Sequence, residues 1–229
     1  MENNNNIKVR AIITGATGMV GEGVAHECIL SDQVESVLLV NRRPSGIVNP
    51  KVKEIVHQDF MNLEQIEKDF AGYNACFYCA GVTSAGKSKE EYEQLTYDLT
   101  MNFANTVAKM NPDKTVTFNY VTGMGTDETE KSWFHWARVK GKTENDISKI
   151  PQFKSTYMYR PGFIRATPGL RYTNKYYKYI GWLFPVGKLM SQNGFTTLEA
   201  LGKSMINTVT KGYEKRIIYG KDMFILSQR

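Results

Sequence analysis

The feature that most constrains this chain is an apolar run that closes on three evenly spaced glycines, Thr14-Gly15-Ala16-Thr17-Gly18-Met19-Val20-Gly21. Ile7, Val9, Ala11, Ile12 and Ile13 predict a short buried strand, and Met19 to Ser31 predict the helix that follows. Each glycine answers a different demand at such a junction. One turns the chain sharply, one lets the backbone approach a pyrophosphate without a Cβ in the way, and one brings helix and strand close together. A helix that starts there presents unbonded N–H groups and the positive end of its dipole to phosphate oxygens. The pattern therefore predicts a dinucleotide cradle made by Gly15, Thr17, Gly18, Met19 and Val20.

The second strand bears on which dinucleotide fits. Ser36-Val37-Leu38-Leu39-Val40 is continuously apolar, as in a strand covered on both faces, and it runs into Asn41-Arg42-Arg43. A site that grips a free ribose 2′-hydroxyl places a carboxylate at this position. Two guanidiniums instead suit a 2′-phosphate, through charge-assisted forked bonds, so NADP(H) is expected in preference to NAD(H). A third strand at 52–56 leads to Gln58-Asp59-Phe60. Asp59 is placed either to accept from the adenine amino group beside Phe60 or to cap a helix starting near Asn62.

The chain has 229 residues, enough for one domain with a large core, and its 29 basic and 23 acidic residues leave a charge of +6 spread along the sequence. The densest basic and aromatic stretch, Arg171 to Tyr179, is expected to pack or line a pocket rather than bind nucleic acid. The polar start Met1-Glu2-Asn3-Asn4-Asn5-Asn6 lacks the charged and apolar regions of a secretory signal. The best apolar stretch, Ile180 to Val186, is too short to span a bilayer, so cytoplasmic residence is the default expectation. Three cysteines make no disulfide framework. Cys76 and Cys79 fall three residues apart on a predicted strand, about 10 Å from each other and on opposite faces, so neither a bridge nor a metal site is expected. His26, His57 and His135 show no metal-like spacing.

Downstream, helices are predicted over 63–70, over 88–110 with Ser88 and Glu91 as a capping box, and over 130–150, which stops at Pro151. Strands are predicted over 74–80, 115–122 and 156–160. This alternation defines an α/β chain with a doubly wound parallel sheet, its core at about 7–164, and a small C-terminal region, 165–229, suited to cover the carboxyl ends of the strands.

Taken together, the glycine turn at 14–21, Cys79-Ala80-Gly81, Asn102, Val121-Thr122-Gly123, Lys140 and Arg160-Pro161-Gly162 resemble the short-chain dehydrogenase/reductase superfamily. The chain is most similar to its atypical, epimerase/dehydratase-like branch and to the Tat-interacting-protein group of oxidoreductase-like proteins. The resemblance implies a Rossmann fold whose cofactor also touches Ala80, Gly81, Pro161, Gly162 and Phe163, and a homodimer formed through the long helices. Reductases of this kind use a tyrosine four residues before a lysine, on one helix face, with a nearby serine or threonine. The lysine holds the ribose and lowers the tyrosine pKa, so that the phenol moves the proton that accompanies hydride transfer.

Here that segment reads Trp136-Ala137-Arg138-Val139-Lys140. Lys140 matches, but an indole N–H donates a hydrogen bond without titrating near neutrality. Thr122 is the nearest hydroxyl match, with Gly123 in the adjacent slot and Thr126 within reach. The expected catalytic set is Lys140, Thr122 and Trp136, acting on an unidentified small carbonyl compound, with Tyr159 or a water as alternative acids. A protein that binds NADPH to sense it and contact a partner is the rival reading, and a sugar-nucleotide epimerase the third.

Overall fold

The computed structural model describes residues 7–172 and 191–229. Seven strands form one parallel sheet in the order β3-β2-β1-β4-β5-β6-β9. These are β1 Val9–Thr14, β2 Val34–Asn41, β3 Val52–Val56, β4 Ala75–Tyr78, β5 Thr117–Val121, β6 Ser155–Tyr159 and the short edge strand β9 Ile217–Ile218. The chain builds outward from β1 to β3 and then returns to β1's other side for β4. That reversal leaves a crevice over the carboxyl ends of β1 and β4, the place where open α/β sheets bind ligands. Thr14 is level with both Val40 and Tyr78, so the three strands end together under the crevice.

Strand periodicity divides the interior into two layers. Ala11, Ile13, Leu39 and Phe77 face one core, with α1 Met19–Leu30 and α5 Leu198–Thr210. Ile12, Leu38, Val40, Cys76 and Tyr78 face the other, with Phe103 and Val107 of α3 Leu99–Met110. Cys76 and Cys79 belong to opposite layers, and both are free thiols. α1 and α5 pack closely because both carry glycine at the crossing. A Cβ on Gly23 would lie 2.9 Å from the Leu198 side chain, and one on Gly202 would lie 2.6 Å from Glu27 Cγ.

Several boundaries differ from the sequence reading for visible reasons. The predicted helix at 63–70 is only a 3₁₀ turn, Glu67–Phe70. Leu63, Ile66 and Phe70 are buried as expected, but a short turn preceded by loop buries the same three side chains without a full α-helix. The long helix does start at Ser88, whose Oγ accepts from the Glu91 N–H at 3.0 Å. The reciprocal half of the capping box is absent, since the Glu91 carboxylate pairs with Lys87. Between α2 Lys89–Glu93 and α3 lies a π turn, Gln94–Asp98, which sets Leu95 and Leu99 against the crevice.

The C-terminal region is more ordered than its punctuation suggests. β7 Phe163–Arg165 pairs in parallel with β8 Phe195–Thr197 in a separate two-stranded sheet, and α6 Gly220–Ser227 follows β9. Leu198, Leu201, Met205 and Val209 of α5 and Met223 and Leu226 of α6 fill the lower core. Glu22 of α1, itself buried, accepts from the Arg171 and Tyr172 N–H groups at 2.7 and 2.8 Å and so ties that segment to the first helix. The rest of the basic and aromatic stretch, and Ile180 to Val186, lie outside the described residues. No described helix is long and apolar enough to cross a membrane. The described residues contain no cluster of three or more metal-ligating side chains.

Candidate functional site

The glycine turn has the geometry that its sequence demands. Gly15 adopts φ +76°, and a Cβ there would lie 2.8 Å from the backbone of Cys79 and Ala80. A Cβ on Gly21 would come within 2.2 Å of the Gly15 carbonyl oxygen, which makes Gly21 the helix-to-strand contact glycine. Gly18, the residue before α1, would direct a Cβ into nearly open space, with only the Gly15 oxygen at 3.5 Å. Gly81 on the facing loop would meet nothing within 4 Å. The Met19 and Val20 N–H groups open the first helical turn and have no acceptor among the described residues. An open cradle rimmed by bare donors fits a diphosphate.

Two buried side chains hold this cradle in shape, and the sequence reading missed both roles. Asn41 Oδ1 accepts from the Ala16 N–H at 2.9 Å while its Nδ2 donates to Glu54 Oε1 at 2.8 Å, which clamps the turn to the end of β2 and the middle of β3. Thr14 Oγ1 accepts from the Cys79 and Ala80 N–H groups at 3.2 and 3.1 Å, which fixes the loop after β4. Their signal was position alone, a polar residue at the last place of a buried strand.

Of the expected cofactor residues, the cleft brings together Gly15, Thr17, Gly18, Arg42, Arg43, Phe60, Ala80 and Gly81. Arg42 and Arg43 make no ion pair or hydrogen bond among the described residues. Phe60 is buried and stacks on Phe103, with centroids 5.7 Å apart. Asn102 places the Phe60 loop by donating to the Phe60 and Met61 carbonyls at 2.8 and 3.1 Å. Asp59 is exposed, and its Oδ1 accepts from the Met61 N–H at 2.9 Å. No helix starts at Asn62 for it to cap.

A second constellation gathers beyond β5 and β6, at the start of α4 His135–Ile147. Lys140 Nζ donates to the Thr122 carbonyl at 2.6 Å. Burial pushes its ammonium below the usual lysine range, and the charge of Glu144 partly offsets this. Gly123, at φ +136°, holds a backbone conformation that favours glycine, and a Cβ there would make only ordinary contacts, 3.8 Å from Nζ and 3.9 Å from the Pro161 oxygen. Pro161 O accepts from the Met124 N–H at 2.9 Å, Gly162 abuts the Gly194 carbonyl, and Phe163 packs against Phe195. Neither these three residues nor Lys140 lines the cleft at the glycine turn.

The hydroxyls expected to serve chemistry are committed elsewhere. Thr122 Oγ1 donates to Glu144 Oε1 at 2.6 Å and is buried, so its proton is not offered to a ligand. Thr126 Oγ1 donates to the Gly123 carbonyl at 2.8 Å. Tyr159 is fully buried in the lower core, and burial raises its pKa, which removes it as an alternative acid. Behind this constellation lies an ion pair that the sequence did not announce. Arg160 grips the Glu144 carboxylate with Nε at 3.0 Å and Nη2 at 2.5 Å, and it also meets Glu128 and the Tyr219 hydroxyl. Trp136 is half-buried, with its six-membered ring against Gly125. A Cβ on Gly125 would lie 2.9 Å from that ring. The indole N–H has no acceptor among the described residues.

The sequence profile of the NAD dependent epimerase/dehydratase family matches residues 11–133, and the chain belongs to this family. The match covers the nucleotide half and stops just before Trp136. Relatives include the protein FMP52, mitochondrial, of Debaryomyces hansenii, 30% identical over 154 residues, which cover 66% of this chain and 65% of that protein. The Candida glabrata protein of the same name is 27% identical over 193 residues, 82% of this chain and 79% of the relative. The chain thus spans just under two thirds of the first relative's length. Among solved structures, Helicobacter pylori ADP-L-glycero-D-manno-heptose-6-epimerase superposes with a TM-score of 0.66 at 14% identity, over 94% of this chain and 76% of that one. MoeE5 in complex with UDP-glucose and NAD gives 0.65 at 14%, over 91% and 74%. Such low identities establish the Rossmann-type fold alone, and the family is one of nicotinamide dinucleotide-dependent proteins. The mitochondrial names of the relatives overturn the expectation of cytoplasmic residence. That expectation rested on the lack of an amino-terminal leader pattern, which assigns no compartment.

Proposed function

We propose that this chain binds NADP(H) across the β1–β4 crevice and acts as an oxidoreductase of the atypical short-chain type on a small carbonyl compound. The observation that carries the reading is the pair Arg42 and Arg43, which line the cleft that starts at the glycine turn and make no ion pair or hydrogen bond among the described residues. Each charge-assisted bond to a 2′-phosphate contributes about 1.5–3 kcal/mol. The cradle at Gly15–Val20 receives the pyrophosphate, Phe60 and Asp59 border the adenine, Ala80 and Gly81 line the middle, and Lys140 holds the nicotinamide ribose. Pro161, Gly162 and Phe163 flank the nicotinamide, which supplies hydride when bound. The Trp136 indole N–H orients the carbonyl oxygen. Proton delivery falls to water near Lys140, because the Thr122, Thr126 and Tyr159 hydroxyls are bonded within the protein or buried.

That shortage of a titrating hydroxyl favours a second reading, a protein that binds NADPH without turnover and signals its presence to a partner. Calorimetry with NADPH and NADH on the wild type and on Arg42→Ser/Arg43→Ser tests the first part. With two such bonds removed, NADPH affinity is expected to fall roughly 150-fold or more while NADH is unaffected. No heat with either nucleotide refutes the reading. Absorbance of NADPH against a carbonyl panel then separates turnover from sensing, and UDP-glucose conversion would assign the chain to sugar-nucleotide epimerisation instead.

A further inference from the structure

The loop between β5 and α4 presents aromatic side chains where water would be expected. Trp133 is 93% exposed and Phe134 61%. Exposed single hydrophobes are common, but neighbouring large aromatics that continue into a site are not. Phe134 and Trp136 lie with ring centroids 6.3 Å apart, and Trp136 precedes Lys140 by one helical turn. Met124, 43% exposed, borders Gly194 on the same side.

The loop is held in place by its own bonds. Asp127 accepts from the Thr129 N–H and hydroxyl through Oδ1, and from the Lys131 and Ser132 N–H groups through Oδ2 at 2.8 and 2.6 Å. Those bonds, the Thr129 hydroxyl's foremost, hold its carboxyl below the usual range against the opposing effect of burial. Arg138 folds back to donate to the Ser132 and Trp133 carbonyls at 2.6 and 3.2 Å. Gly141 closes the anchor, because a Cβ there would overlap the Asp127 carbonyl. The sequence thus commits two charged side chains and a glycine to displaying two rings.

We infer that the carbonyl compound handled at Lys140 carries an apolar tail, and that Trp136, Phe134 and Trp133 are the specificity-determining rail along which it lies. This rests on the oxidoreductase reading above. One helical turn plus the ring-to-ring step gives the rail a reach of about 12 Å, the length of roughly ten extended carbons. Trp136, Gly125, Phe134 and Met124 carry no charge, while the cavity beside Trp133 and Phe134 also has Lys89, Lys131, His135 and Arg138 in its lining, with Arg138 folded back onto the Ser132 and Trp133 carbonyls. An alkyl or aromatic tail fits the uncharged inner stretch.

The test uses butanal, hexanal and octanal with NADPH. A fully buried methylene contributes about a fourfold gain and an open rail about half of it, so kcat/KM is expected to rise about twofold per methylene, roughly 16-fold from butanal to octanal. Trp133→Ser/Phe134→Ser should flatten that slope, with octanal losing far more than butanal. Equal values for the three aldehydes, or an unaltered slope in the double variant, overturn the tail while leaving reduction intact. If no aldehyde is reduced, the reductase reading fails and the rail is read from binding. Octan-1-ol should bind NADP⁺-loaded protein about 16-fold more tightly than butan-1-ol, with the gap closed in the double variant. Equal binding of the two alcohols overturns it.

Discussion

Arg160→Met should be among the most damaging single substitutions in this protein, and its effect should be reversible by a second one. Glu144 is 1% exposed and Arg160 4%. Burial works against the Arg160 charge, but bonds to Glu144 and its negative charge hold the guanidinium pKa above its usual value. Removing the arginine leaves a buried carboxylate whose remaining side-chain donor is the Thr122 hydroxyl. Breaking one side of such a pair costs about 3–5 kcal/mol. Glu144→Leu should cost somewhat less, because Arg160 keeps the half-exposed Glu128 and the Tyr219 hydroxyl. The double variant Glu144→Leu/Arg160→Met removes both charges and should recover most of the loss, since well-packed apolar replacements of buried pairs are often neutral. Urea unfolding measures this directly. At a slope of about 2–3 kcal/mol/M, Arg160→Met should move the midpoint down by about 1.5 M. The double variant should unfold within about 0.5 M of the wild type. NADPH affinity should stay reduced in the double variant, because Thr122, whose carbonyl receives Lys140, has lost its short bond to Glu144 and keeps only those to the Tyr159 carbonyl. A loss below about 1 kcal/mol in Arg160→Met, or a double variant as weak as the worse single one, would refute the view that this pair is mutually compensating.

Other outcomes separate packing from ligand binding. Gly21→Ala should destabilise by about 1–3 kcal/mol or more, since its Cβ collides with the Gly15 carbonyl. Gly18→Ala should leave stability within about 0.5 kcal/mol yet weaken NADPH binding in calorimetry, because its Cβ enters the open cradle. Trp136→Tyr should raise NADPH-dependent aldehyde reduction by roughly 10²–10⁴-fold if the missing acid is the sole defect, read from initial rates. Asp222 accepts from Tyr213, Lys215 and the Tyr219 N–H at 2.9, 2.7 and 3.2 Å. Burial alone would raise its carboxyl, but the Lys215 and Tyr213 bonds outweigh burial and hold it below the usual range. The stability it contributes is therefore present above the unfolded value near 3.9 and lost as pH falls through the lower folded value. Asp222→Asn should cost about 1–3 kcal/mol at pH 7 and progressively less below pH 4, measured as urea midpoints.

The sequence determined the nucleotide half almost alone. Glycines at 15, 18 and 21 are a local requirement, since the turn, the open cradle and the helix contact all lie within one short segment. Apolar runs likewise marked β1, β2 and β4, because strands buried on both faces admit little else, whereas the edge strand β3 carries Lys53 and Glu54 and is only partly buried. The C-terminal half was harder to read. Thr197 caps α5 by accepting from the Ala200 N–H, and Leu198, Leu201, Met205 and Val209 give a helical stripe, but the surrounding glycines and prolines obscured it. The fate of the site hydroxyls could not be read from spacing. Thr122 meets Glu144 across 22 residues, and Arg160 meets Tyr219 across 59. Whether a polar side chain faces a ligand or a buried partner depends on which strands lie side by side, and only the folded sheet decides that.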